Sequence, residues 1–114
     1  MHTQPTFRIG YGCDAHRFST ERPLVLGGVR IRDVDGLMGH SDADVLLHAV
    51  TDAVLGALAL GDIGQWFPDT KDAYRDADSA RLLRRVLTDP RVTPWALVNL
   101  DATVLAQRPR LAPH

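Results

Sequence analysis

The 114-residue chain predicts an α+β (α/β) fold, a mixed sheet with helices packed on one face, and three observations carry that expectation. Residues 39–64, GHSDADVLLHAVTDAVLGALALGDIG, repeat apolar side chains at spacings of three and four, the period of an amphipathic helix. Residues 7–16 and 97–106 instead alternate with the period of two that belongs to a strand. The order strand, hairpin, helix, helix, strand then calls for a sheet with helices laid on it.

Met1, Pro5 and their neighbours up to residue 6 read as a frayed lead-in. In the first strand Phe7, Ile9, Tyr11 and Cys13 alternate with Arg8, Gly10, Gly12 and Asp14. Two residues apart, Asp14 and His16 fall on one side of it. Leu24, Val25 and Leu26, then Gly27-Gly28, then Val29 and Ile31 read as a hairpin with a tight Gly-Gly turn. A polar loop, 32–36, leads to Leu37 and Met38.

The long helix is expected to start at Ser41, whose hydroxyl can cap free N–H groups while Asp44 reaches back. Its apolar side comprises Val45, Leu46, Ala49, Val50, Ala53, Val54, Ala57 and Leu58, and Gly61 can take a left-handed cap at its end. Asp44, His48 and Asp52, each four apart, stand on one face. Residues 61–80, rich in Gly, Asp and Pro, read as a long connection holding Trp66 and Phe67, and loops of this length are usually functional or disordered. Ser79 can cap a second helix from Ala80 to about Leu87, stopped by Pro90 and Pro94. Residues 97–106 are the clearest strand in the chain, and the sequence reads as cut short after it.

One domain, 1–114, is expected at this length, with oligomerisation helping to bury apolar surface. With 13 basic and 14 acidic residues and no basic block, charge gives no reason to expect nucleic acid or an anionic membrane as partner. A small molecule fits better. The single cysteine, Cys13, excludes an internal disulfide and a cysteine-based zinc site, and fits a reducing compartment. The run 45–60 is too short and too polar to span a bilayer, and MHTQPTFR lacks a signal peptide's apolar segment, so a cytoplasmic location is expected.

Asp14, His16 and His48 form a two-histidine, one-carboxylate set suited to a divalent transition metal, zinc first, with an open fourth position. The set requires the first strand to lie beside the long helix. Taken by spacing alone, His16 also reads as a surface residue and His48 as a polar break in a helix. His40 and Ser41 at the helix start could favour an anion such as phosphate, or merely cap the helix. Asp62, Ile63 and Gly64 read equally as a helix-terminating loop, and Phe67, Pro68, Asp69 and Thr70 as a turn. Ala106, Gln107, Arg108, Pro109 and Arg110 read as a strand end with solvated arginines, or as donors for a phosphate or a base. Gly10-Tyr11-Gly12-Cys13-Asp14-Ala15 matches a loose dinucleotide-binding pattern, with Asp35 about 20 residues on. It is rejected because Pro23 and a hairpin follow where that fingerprint needs a helix.

The runs D-x-H at 14–16, H-S-D-x-D-V-x-x-H at 40–48 and G-D-I-G-x-x-F-P-D-T at 61–70, with VNLDATVLAQRPRLAPH at 98–114, resemble the 2-C-methyl-D-erythritol 2,4-cyclodiphosphate synthase family of the non-mevalonate isoprenoid pathway. That resemblance implies zinc on Asp14, His16 and His48, a second cation (magnesium or manganese), a homotrimer, and catalytic roles for His40 and Asp62. It implies substrate contacts by Asp14, His16, His40 and Ser41, by Asp62, Ile63 and Gly64, by Phe67, Pro68, Asp69, Thr70 and Lys71, and by Ala106, Gln107, Arg108, Pro109, Arg110 and Leu111. The implied reaction converts 4-diphosphocytidyl-2-C-methyl-D-erythritol 2-phosphate to the cyclic diphosphate with release of CMP. Two alternatives are a zinc-binding module without catalysis and a zinc phosphohydrolase. Family members continue through a further helix and a strand with a Thr-Thr-Glu run, which this sequence lacks. Ala43 stands where glycine is common in the family, a minor change within the first turn of the helix that helix propensity favours.

Overall fold

The structure, a computed structural model, describes residues 7–39, 41–68, 78–106, 108–109 and 111–114. Its elements are β1 (Phe18–Ser19), β2 (Leu24–Leu26), β3 (Val29–Arg32), β4 (Gly36–Leu37), α1 (Val45–Ala57), α2 (Ile63–Trp66) and α3 (Ser79–Leu87). The α+β class holds. Its sheet component, among the described residues, is two separate antiparallel ladders, β1 with β4 and β2 with β3.

The hairpin forms as expected. Gly27 and Gly28 both have positive φ, +61° and +78°, which a tight two-residue turn requires and glycine adopts without a Cβ penalty. Asp44, fully buried, ties this turn to α1: its carboxylate accepts the N–H of Gly27 (3.0 Å) and Gly28 (2.7 Å) as well as that of Leu47 (3.0 Å). Three donors satisfy a carboxylate that would otherwise be costly to bury.

The N-cap is therefore Asp44, not Ser41, and α1 starts at Val45. Ala43 lies before the cap and has φ +58°, so helix propensity does not govern it; a left-handed backbone is what glycine adopts more readily there. At the other end α1 stops before Gly61. Ala59 takes the left-handed position (φ +54°), Leu60 N–H donates to Leu55 O (2.8 Å) and Ala59 N–H to Gly56 O (3.2 Å), a Schellman closure.

The deepest residues of α1 are Thr51 and Leu55, whereas the apolar side expected from periodicity is only half-buried. Leu55 joins Phe67, Leu82, Val86 and Val92 in one core, where α1 packs on α2 and α3. Leu24, Leu37 and Ala43 form a second under the ladders. The connection after α1 contains a helical turn, α2, capped by Asp62, whose carboxylate accepts from Gln65 N–H (2.8 Å). Likewise Asp78, not Ser79, caps α3 by accepting from Ala80 N–H (2.9 Å).

Neither period-2 segment is a laddered strand. Residues 7–17 and 96–106 pair with no strand among the described residues. Alternation marks an extended chain, but a strand exists only where another backbone accepts its hydrogen bonds.

Candidate metal centre

Residues 7–16 lie along α1, and two glycines let them. A Cβ at Gly12 would come within 1.8 Å of Ala49 O, and one at Gly10 within 1.8 Å of Ala53 O. The small residues Ala49 and Ala53, one turn apart, offer the matching bare backbone. From Tyr11 to Arg17 the odd residues are exposed and the even ones half-buried, so Asp14 and His16 face the helix together, as alternation requires.

There they meet His48, in the first turns of α1. His48 Nδ1 is 3.1 Å from Asp14 Oδ2, and His16 Nε2 is 3.0 Å from the same oxygen. The two rings meet edge to face, with centroids 5.6 Å apart. One donor atom from each of the three lies within 4.8 Å of the others, a spacing that a single ion can bridge. His16 Nε2 is buried yet makes no hydrogen bond among the described residues, its 3.0 Å contact with Asp14 Oδ2 being an ion-pair contact rather than a hydrogen bond. A buried imidazole nitrogen without a partner beside a carboxylate oxygen fits a ligand set for a cation better than a closed ion pair.

Burial pushes the Asp14 carboxyl up, but the hydrogen bond with His48, the charges of His16 and His48 and the Ala15 N–H together outweigh it. The group lies below its ordinary value of 3.8 and stays an anionic ligand.

The loop before α1 is held by Arg22, whose guanidinium donates to the carbonyls of Gly39 and Ser41. Ser41 Oγ accepts from Ala43 N–H (3.3 Å) and lies 3.1 Å from His48 Nε2, so its hydroxyl serves the imidazole rather than the helix cap. A Cβ on Gly39 would clash with Ala43 (2.9 Å) and reach ordinary contact with the His16 ring (3.5 Å).

A model of the YgbB family matches residues 7–114. The chain belongs to the YgbB family. It is 60% identical over 108 residues to a 2-C-methyl-D-erythritol 2,4-cyclodiphosphate synthase of Bordetella petrii, a match covering 95% of this chain and 67% of the relative. For a synthase of the same name from a Geobacillus species the identity is 57%, over 95% of this chain and 68% of the relative. A solved structure of such a synthase aligns with a TM-score of 0.65 at 51% identity, covering 70% of this chain and 53% of that one. A CDP-bound form aligns at 0.64 and 49%, with the same coverage. The chain thus spans about two thirds of the length of these curated relatives and aligns with about half of the solved chains.

The remaining residues that the family resemblance singles out fall in three places. Asp62, Ile63 and Gly64 open α2; Asp62 is exposed, and Ile63 N–H donates to Asp52 Oδ1 (2.7 Å), tying α2 to the helix that carries His48. Phe67 is buried in the main core and Pro68 is half-buried. Ala106 and Arg108 are exposed, with the Arg108 guanidinium 5.3 Å above the Phe18 ring, and Leu111 lines a recess of about 220 Å³ against the hairpin. His40, Asp69, Thr70, Lys71, Gln107 and Arg110 lie outside the described residues.

Sequence reasoning missed Arg22, Gly39, Asp42 and Ser79 at the centre. By sequence Ser79 reads as a cap; in the structure it lies against His48. Nothing in spacing links positions 31 residues apart, although the Gly10 and Gly12 pair was legible as a place of close backbone approach.

Proposed function

We propose that residues 1–114 form one domain of a zinc-dependent 2-C-methyl-D-erythritol 2,4-cyclodiphosphate synthase of isoprenoid biosynthesis, working as a cytoplasmic homotrimer. The observation that carries the reading is the Asp14, His16 and His48 cluster, in which a buried His16 nitrogen has no hydrogen-bond partner among the described residues. In the reaction, the 2-phosphate of 4-diphosphocytidyl-2-C-methyl-D-erythritol 2-phosphate attacks the β-phosphorus, forming one P–O bond as the bond to CMP breaks. Asp14, His16 and His48 would hold the zinc, which would supply a Lewis acid for the diphosphate, and a magnesium or manganese ion accompanying the substrate would offset phosphate charge.

The chain's own task is placement. Nucleophile and electrophile belong to one molecule, so holding them in line supplies most of the rate and no side-chain nucleophile is needed. In this reading His40 and Ser41 face the diphosphate, Asp62, Ile63 and Gly64 with residues 67–71 receive the methylerythritol, and residues 106–111 contribute to the cytidine pocket. His40 and Asp62 act on the reacting groups. Support comes from Asp42 and Asp44, whose carboxylates are satisfied by Ser79, Gly27, Gly28 and Leu47 and are thereby less repulsive to a phosphate at this loop.

The test is phosphorus NMR of the products after incubation with the diphosphocytidyl substrate, zinc and magnesium. The cyclic diphosphate plus CMP is expected. Linear products would replace the reading with a phosphohydrolase, and no turnover by the native chain would reduce it to a metal-binding module.

A further inference from the structure

We propose that Ser79 and Asp42 are positioning residues for His48, fixing its ring with the proton on Nε2 and leaving Nδ1 as the nitrogen that ligates the cation. The inference rests on the metal reading above and concerns how that site is kept competent.

The hydrogen-bond directions follow from what each group can donate. The Asp42 carboxylate accepts from Asp44 N–H (3.2 Å), from Ser79 N–H (3.0 Å) and from the Ser79 hydroxyl in a short contact. An ionised carboxylate has only lone pairs to offer, so the Ser79 proton points at Asp42. Ser79 Oγ then has only lone pairs left for His48 Nε2, 2.8 Å away, so the closer of the two hydroxyls at that nitrogen calls for a proton on the ring, and Ser41 Oγ, 3.1 Å away, then offers it a lone pair as well. With Nε2 committed, Nδ1 is the bare nitrogen of the neutral ring, and it is the one facing Asp14 Oδ2 at 3.1 Å; only the charged ring can also donate a hydrogen bond to that oxygen. Two lone pairs at that separation repel unless a cation lies between them, so the relay from Asp42 through Ser79 prepares the position an ion would take. An outer hydrogen bond that fixes ring orientation and tautomer is a recurrent requirement of histidine ligands. The side chain doing this is 1% exposed at the first residue of α3. Its hydroxyl is not needed as a helix cap, because Asp78 holds that position.

The last point separates positioning from mere stability. In the full chain, Ser79→Ala is expected to weaken zinc binding by roughly 10–100-fold in a chelator competition. Asp78→Ala, which removes the α3 cap but leaves His48 untouched, is expected to lower thermal stability at unchanged zinc affinity. Nitrogen-15 NMR of the metal-free native chain, at a pH where the ring is neutral, should find the His48 proton on Nε2, and Ser79→Ala should release it to a mixture. Native-like zinc affinity in folded Ser79→Ala would overturn the proposal. So would a native ring protonated on Nδ1, a result that decides the matter even if the variant does not fold. A native chain that takes up no zinc while its ring carries the Nε2 proton would instead sink the metal reading and leave the relay standing.

Discussion

Residues 7–16 and 97–106 carry the same alternating pattern and meet opposite fates. The first is docked along α1 and presents Asp14 and His16 to His48; the second leaves Leu97, Val98 and Leu105 at 70%, 95% and 92% exposure. Apolarity does not separate them, since Ile9 and Tyr11 in the docked segment are themselves 83% exposed. What separates them is glycine. Gly10 and Gly12 place bare backbone against Ala53 and Ala49, while 97–106 contains no glycine. Here the absence of side chains, rather than their hydrophobicity, selects the face that packs. The Arg8 guanidinium donates to Ala57 O (3.3 Å) and covers the Trp95 ring at 5.4 Å, clamping the docked segment beyond the glycines.

The harshest way to break this contrast is Gly12→Val. Its Cβ would meet Ala49 O at 1.8 Å and Ala53 N at 2.9 Å, all backbone and unable to rotate aside. A loss of about 3 kcal/mol is expected, at the upper end of overpacking penalties, together with loss of stoichiometric zinc, because Asp14 and His16 are carried off with the segment. Thermal melting and elemental analysis read both; unchanged values would mean that the docking does not hold the ligands.

A smaller effect is expected from Asp14→Asn, which keeps the backbone docked but removes the charge between the two imidazoles. Zinc uptake should fall sharply, and the pH profile of the metal-free chain sharpens the point. Asp14's folded pKa is depressed, so its contribution is fully present above its ordinary value of 3.8 and is lost as pH falls through the lower folded value. Native and Asp14→Asn melting temperatures should therefore differ at neutral pH and converge below about pH 3.8. A gap that persists in stronger acid would assign the stability to shape rather than charge.

How legible this was depends on the range of the interaction. The hairpin, the long helix and the shared side of Asp14 and His16 follow from turn chemistry and periodicity, which are local. That Asp14, His16 and His48 converge is legible because two residues of a short extended segment need only one helix to meet. Caps were displaced by one to three residues, since Ser41, Asp42, Asp44, Asp78 and Ser79 are all competent caps and tertiary partners chose among them. Asp44 won at α1 because its carboxylate also binds the Gly27-Gly28 turn; Ser41 and Ser79 were drawn to His48. No local pattern carries that competition. Nor does alternation say whether a strand has a partner, which is why 97–106 read most clearly and pairs with nothing among the described residues.

The least effect is expected in that segment. Val98→Ser removes a side chain already 95% exposed, with little apolar burial to lose and no ladder among the described residues to weaken. In dilute chain the change in stability should stay within about 0.5 kcal/mol, as for surface substitutions generally, and zinc content should not move. The same measurement at rising protein concentration extends the comparison between the two segments. If Val98→Ser becomes destabilising only as the chain is concentrated, another copy covers the segment, and its apolar residues serve assembly as the glycines of 7–16 serve docking. If it is destabilising at every concentration, the segment packs within its own chain, and the contrast between the two fails.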